Sequence, residues 1–301
     1  RPVLQEVRFM NLQLLVSGIS LGSVYALIAV GFAIVYSIMK FSNFAHGGMI
    51  SACAYIGFYF QRAMNNPPIY VTVIFTAICG VAMALFIDTI AYNRIRKKQA
   101  PNLYYFLSSI TIAILIEQIL NVFLGKNQFA FPQIFESTTY KLGTLTLNCN
   151  DTLILCVSLV ILGVLMFVIN KTKIGLAIRA VAINPATSRL MGINSAVVIT
   201  TVFAIAGALA GISGVLLGVK YSVYPSLGPS MMIKGFIASV IGGLGSLGGA
   251  IAAAILLGVV ELILTYYTGS LVTPIILFGI MLIFLAIRPD GIAGKFAKDK
   301  V

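Results

Sequence analysis

Glu117, Glu261 and His46 are the ionisable side chains that the sequence sets deepest in apolar surroundings, and they bound the chemistry open to this chain. Glu117 lies inside the apolar run 103–124, Glu261 follows a glycine-rich stretch, and His46 is the single histidine of 301 residues. An acid at mid-membrane depth costs roughly 2.5–3.5 kcal/mol on insertion scales, so a buried acid must face protein or water. The plain alternative for each is a hydrogen-bonded helix–helix contact. Two lone acids do not build the proton or sodium relay of an ion-coupled secondary carrier, which weakens that class. His46 has no cluster of Cys or acids around it, so neither a metal site nor the constellation of an intramembrane enzyme has support. Asp88, near the end of its run, is expected to pair with Arg94 or the cations that follow it.

His46 belongs to Asn43-Phe44-Ala45-His46-Gly47-Gly48, where Asn43 or His46 has the chemistry to cap a helix. Asn43, His46, Ser239 and Ser246 are scarce polar groups among apolar walls. Broken helices expose backbone dipoles where they line a cavity, so a path for a polar solute would run beside these four. Gly243-Leu244-Gly245-Ser246-Leu247-Gly248 matches the dinucleotide fingerprint G-x-G-x-x-G letter for letter. It follows no strand and lies inside an apolar stretch, so small residues for close helix approach explain it better. No G-x-x-x-x-G-K-[ST] occurs, and the chain offers no recognisable ATP site of its own.

Residues 171–194, KTKIGLAIRAVAINPATSRLMGIN, interrupt the apolar sequence with four cations (Lys171, Lys173, Arg179, Arg189) and no acid. Under the positive-inside rule that marks a cytoplasmic loop. The segment carries its own helix punctuation. Asn184 is placed to cap, Pro185 fits the first helical position, and Gly192 stands where a left-handed residue would end the turn. A structured basic element between two spans suits docking from the cytosol, and a solvated connector that merely obeys topology fits the spacing as well.

These groups sit on a chain that is 59% hydrophobic and 9% charged, with no Trp, far from the roughly one-quarter charged residues of a soluble domain. The net charge of +12 falls in islands: Arg94, Arg96, Lys97 and Lys98, then the loop above, then Arg288, Lys295, Lys298 and Lys300. Charge confined to the ends of apolar runs sets orientation and argues against a nucleic-acid surface. Three of the four Cys lie in apolar runs and only Cys149 is in a polar loop, which gives no disulfide framework. The first residues lack the layout of a cleavable signal.

Apolar runs of spanning length occupy 12–39, 44–60, 69–92, 103–124, 152–169, 195–219, 235–260 and 271–287. An all-α polytopic membrane protein forming one domain over 1–301 is the expected fold. The islands place 94–98 and 171–194 inside, with 125–151 as an extracytoplasmic loop and 220–234 outside. Two runs between Lys234 outside and Arg288 inside break parity, so 235–254 is expected to be broken or re-entrant, with 41–48 as its counterpart. Glycines in a helix cost about 1 kcal/mol each, which makes the GGLGSLGGA stretch the natural break.

Further stretches in order are Leu21-Gly22-Ser23-Val24-Tyr25-Ala26-Leu27, the NFAHG run at 43–47, Gly192-Ile193-Asn194, Gly207-Ala208-Leu209-Ala210-Gly211 and Tyr224-Pro225. Lys234-Gly235-Phe236, the 242–250 glycine run and Arg288-Pro289-Asp290-Gly291 complete them. Together they resemble the permease subunits of bacterial branched-chain amino-acid ABC importers, most closely the H-type. The likeness covers nearly the whole chain. One departure is Gly235, where the family carries alanine.

The resemblance implies a bundle of about eight to ten spanning or half-spanning helices with discontinuous glycine-rich segments. It implies a subunit of the bacterial inner membrane that hydrolyses nothing and holds no cofactor. ATP and magnesium would be used by two cytoplasmic ATP-binding subunits, beside a companion M-type permease and an extracytoplasmic solute-binding protein. Residues 171–194 would then be the ATPase-coupling element, with Arg179, Asn184, Arg189 and Gly192 as its working residues. The cargo stays open between branched-chain amino acids and the urea, amide, sugar or nucleoside cargoes of related permeases.

Overall fold

The computed structural model describes residues 2–132, 134, 139–142, 145–288 and 291–293. The apolar runs fold as helices, because only helices or closed barrels satisfy every backbone group away from water. In order they are α1 (Pro2–Met39), α2 (Ala45–Ala63), α3 (Ile69–Ile87), α4 (Asn93–Lys97), α5 (Asn102–Leu124), α6 (Cys149–Lys171), α7 (Lys173–Ile183) and α8 (Pro185–Leu190). Then follow α9 (Ser195–Tyr221), α10 (Leu227–Gly242), α11 (Leu247–Thr268) and α12 (Thr273–Ile287). A π turn at Asp88–Tyr92 joins α3 to α4, and the antiparallel pair β1 (Thr139–Leu142) and β2 (Leu145–Asn148) precedes α6. Six of the described helices are long and apolar enough to cross a membrane, and α10 and α12 are shorter apolar helices. The protein is an all-α, multi-pass membrane protein.

Burial sorts the helices into a centre and a rim. The apolar window of α1 is 94% buried and that of α9 78%, against 6% for α5, so α1 and α9 form the core that the others surround. Glycines let the backbones close. A methyl at Gly22 of α1 would lie 2.6 Å from the Ile255 Cα of α11, and one at Gly80 of α3 would strike the Gly207 carbonyl of α9. Gly18 meets Val259 while Gly22 meets Ile255, so α1 and α11 are antiparallel.

The break expected in 235–254 is present and is sharper than a kink. α10 stops at Gly242, Gly243 and Gly245 take φ of 101° and 90°, and α11 runs back beside α10. Close contact of Gly242 with Gly249 seals this hairpin, which is the role the small residues were expected to have. The hairpin plus α12 gives three passes between α9 and Arg288, which removes the parity problem. It also corrects the reading of Lys234, which lies inside α10 rather than in a loop at 220–234.

At the front, α1 ends at Met39, Lys40 turns with φ 55°, and α2 starts at Ala45. A methyl on Gly31 would lie 2.7 Å from the His46 ring, so α2 begins about two turns up from the end of α1. Every residue from Ala45 to Tyr55 is buried.

The basic islands gather at one end of the bundle. Asn102 Nδ2 donates to the Lys40 carbonyl at 3.3 Å, beside the end of α4. Ser37, Asn170, Arg179 and Gly245 line one cavity of about 490 Å³ there. Residues 291–293 lie along the hairpin tip, where the Ile292 and Ala293 amides donate to the carbonyls of Ile241 (2.8 Å) and Gly242 (3.1 Å). Lys295, Lys298 and Lys300 lie outside the described residues. At the opposite end Phe129 and Val223 exchange backbone hydrogen bonds of 2.9 and 2.8 Å, and Lys220 pairs with Asp151 at 2.6 Å. Phe129 and Asp151 therefore share an end with 220–223, away from 94–98 and 171–194.

Candidate functional site

The segment 171–194 folds as a chain of capped helices. Thr172 Oγ1 accepts from the Gly175 amide (3.2 Å) at the head of α7. Asn184 Oδ1 accepts from the amides of Ala186 (2.9 Å) and Thr187 (3.1 Å), with Pro185 at the first position of α8. Gly192, at φ 81°, ends that helix, and Asn194 Oδ1 accepts from Ala196 at the head of α9 (3.1 Å). The cap at Asn184 and the stop at Gly192 are as the spacing predicts. Thr172 and Asn194 are two caps that the sequence reading missed, although each is a preferred capping type just before an apolar run.

Two contacts make this segment stiff. Arg179 donates from Nη1 to the Ile169 carbonyl of α6, and Ser195 Oγ at the start of α9 donates to the Pro185 carbonyl at 3.4 Å. Its outer surface is apolar between the cations: Ile183 is 86% exposed, Leu190 87% and Met191 80%, next to the exposed Arg189.

The polar groups of the interior separate into three places. Asn43 does not cap α2; its Oδ1 accepts at 2.8 Å from the hydroxyl of Tyr92, the buried last residue of the π turn. His46 does not cap either, since it lies within the first turn of α2, after Phe44. Both ring nitrogens of His46 and the Ser239 hydroxyl are buried without a hydrogen-bond partner among the described residues. Ser246 stands apart from these, at the basic end, where its Oγ accepts from the Gly249 amide and starts α11.

The two interior acids have different fates. Glu261 is buried as expected, and its partner is Lys234 at 2.5 Å, which also reaches the Tyr25 hydroxyl at 3.0 Å. Sequence reasoning missed that triad by assigning Lys234 to a loop; a lone lysine inside an apolar run facing a lone acid in the next was its signal. Glu117 is not a buried acid. It is half-buried on the outward part of α5, where the helix lies at the rim, and it lines a polar cavity of about 460 Å³ with Asn121, Lys126, Gln128 and Tyr224. Asp88 pairs with Arg96 at 3.1 Å, one of the cations expected to hold it.

Comparison with known proteins fits this architecture. Residues 14–286 match the family described as branched-chain amino acid transport system / permease component. The chain is 32% identical to the high-affinity branched-chain amino acid transport system permease protein BraD of Pseudomonas aeruginosa, over 96% of this chain and 98% of the relative. It is 30% identical to LivH of Escherichia coli, a permease protein of the same description, over 96% and 97%. A nucleoside ABC transporter permease protein, NupB of Lactococcus lactis, is 29% identical over 41% of this chain and 34% of its own length. No solved structure matches the chain.

Proposed function

Because this chain belongs to the branched-chain amino acid transport system permease family, we propose that it is one permease subunit of an ATP-driven importer for branched-chain or similar hydrophobic amino acids. The observation that carries the reading is similarity over nearly the full chain to permeases of that cargo. A nucleoside cargo draws on likeness over only 41% of the chain. The partners are a companion M-type permease, two ATP-binding subunits that use ATP and magnesium, and a solute-binding protein outside the inner membrane.

In this reading the basic end faces the cytoplasm, and α8 with its flanks couples the permease to an ATPase. What supports this is a capped, stiffened helix with exposed apolar tips beside Arg179 and Arg189, tied to α9 through Ser195. The pathway runs past the front break and the α10 helix. His46 and Ser239 keep polar atoms free there, Asn43 is held by Tyr92, and Ser246 marks the cytoplasmic exit.

Reconstitution tests the reading. With its companion permease, ATPases and binding protein in proteoliposomes, the chain should give ATP-dependent uptake of labelled leucine, and none alone. Uptake of nucleoside or urea without leucine overturns the cargo, and uptake by the chain alone under an ion gradient overturns the class.

A further inference from the structure

The polar cavity at the end opposite the basic loops is built from groups that neither coupling nor the interior path uses. Glu117 and Asn121 stand four residues apart on α5, so they share the face that lines it. Gly125, at φ 75°, ends α5 and turns the chain so that Lys126 and Gln128 form a second wall. The third wall starts at Tyr224, and the Phe129–Val223 bridge holds it against the second. At about 460 Å³ the cavity falls within the roughly 300–1,000 Å³ of small-molecule sites.

Its charges are unusual for this chain. Asp88, Asp151 and Glu261 each hold a cation, at 3.1, 2.6 and 2.5 Å. Glu117 and Lys126 line one cavity, yet neither enters an ion pair or a side-chain hydrogen bond among the described residues. An acid and a base that line one cavity with no partner among the described residues match a ligand that carries both charges at one end.

We infer that this cavity is an entry site for a zwitterionic amino acid, with Glu117 receiving the ammonium and Lys126 the carboxylate. The inference rests on the amino-acid reading above and adds a place and two partners to it. A singly charged cargo would leave one of the two charges unmatched, and a neutral one would leave both. Charge-assisted hydrogen bonds of this kind are the strong ones, and the two together fix orientation before the side chain enters the apolar interior.

The test uses the assembled importer in nanodiscs without the binding protein, carrying Asn121→Cys as a reporter at the cavity wall. An impermeant thiol reagent is applied, and labelling of the parent chain is subtracted. Leucine should slow the reaction, whereas 4-methylpentanoate and isopentylamine, which each lack one charged group, should not. Glu117→Gln and Lys126→Gln should each raise the leucine concentration for half-protection about tenfold or more, the scale of one charge-assisted hydrogen bond. The swap Glu117→Lys/Lys126→Glu should recover part of that loss, which a folding defect would not. Absence of leucine protection, or equal protection by all three compounds, overturns the inference. So does protection in a parallel sample to which the binding protein is added without leucine, which would make the cavity its docking surface. Leucine uptake by the complete parent importer separates the two readings: uptake without protection removes this site only, and no uptake removes the cargo itself.

Discussion

Lys234 Nζ of α10 and Glu261 Oε1 of α11 lie 2.5 Å apart across the hairpin, and the same ammonium reaches the Tyr25 hydroxyl of α1. One cation thus joins three helices in a region where single charges are costly. The Lys234 amine also lies 5.4 Å from the Tyr25 ring centroid, so the ring face adds to the hydroxyl contact.

Lys234→Met should leave the Glu261 carboxyl without its partner in the interior. Removing one partner of a buried pair costs on the order of 3 kcal/mol, and replacing both with apolar groups is often neutral. The single variant should therefore lower the thermal midpoint of the purified subunit by several degrees, and Lys234→Met/Glu261→Leu should restore most of it. Equal midpoints for the single variant and the parent would show that the pair contributes nothing.

Arg189→Glu should lose ATPase stimulation and uptake while binding-protein association stays near the parent level. Arg189 lies in the last turn of α8, where the helix dipole favours a cation, and under the proposed coupling role it would meet an acid of the ATPase. Normal assembly with the ATPases and full coupling would reduce Arg189 to a topology charge.

Leu190→Ser with Met191→Ser should weaken co-purification of the ATPases without shifting the thermal midpoint of the subunit alone. Side chains 87% and 80% exposed contribute little to its own core. A large fall in the midpoint would point instead to packing within the chain.

Asn184→Ala should act differently from either. Losing a cap costs about 1 kcal/mol, confined to the start of α8. Hydrogen exchange at the Ala186 and Thr187 amides should speed up about fivefold while the spanning helices stay protected. Unchanged exchange at both amides would mean that the cap does not order the helix.

Sidedness is checked with Gln128→Cys and Asn184→Cys in inverted and right-side-out vesicles. Gln128→Cys should react with an impermeant reagent only in right-side-out vesicles, and Asn184→Cys only in inverted ones. The reverse pattern would invert the orientation.

Helix identity and position were legible because a twenty-residue apolar run has few other folds open to it, and α5 and α9 fall where composition puts them. The cap at Asn184 was legible too, since capping is local chemistry. What escaped was tertiary pairing. Nothing in the order of residues says that Tyr92 will hold Asn43, and the lone lysine and lone acid that signal the Lys234–Glu261 pair do not by themselves say that Tyr25 joins them. Burial misled in the case of Glu117: an apolar run is not an interior when the helix lies at the rim, where only 6% of its window is covered.

The tail beyond α12 has a consequence for handling the molecule. The last carbonyls of a helix have no partner within it. For α10, two of them are satisfied by amides about fifty residues further along, at Ile292 and Ala293. The short strap is thus a terminal cap delivered from a distance, and Gly291, at φ 75°, nests against Gly243 to bring it there. A truncation made just after Arg288, though it removes no part of any spanning helix, would unlace the tip of the hairpin at the basic end. An affinity tag or fluorescent fusion belongs beyond Ala293.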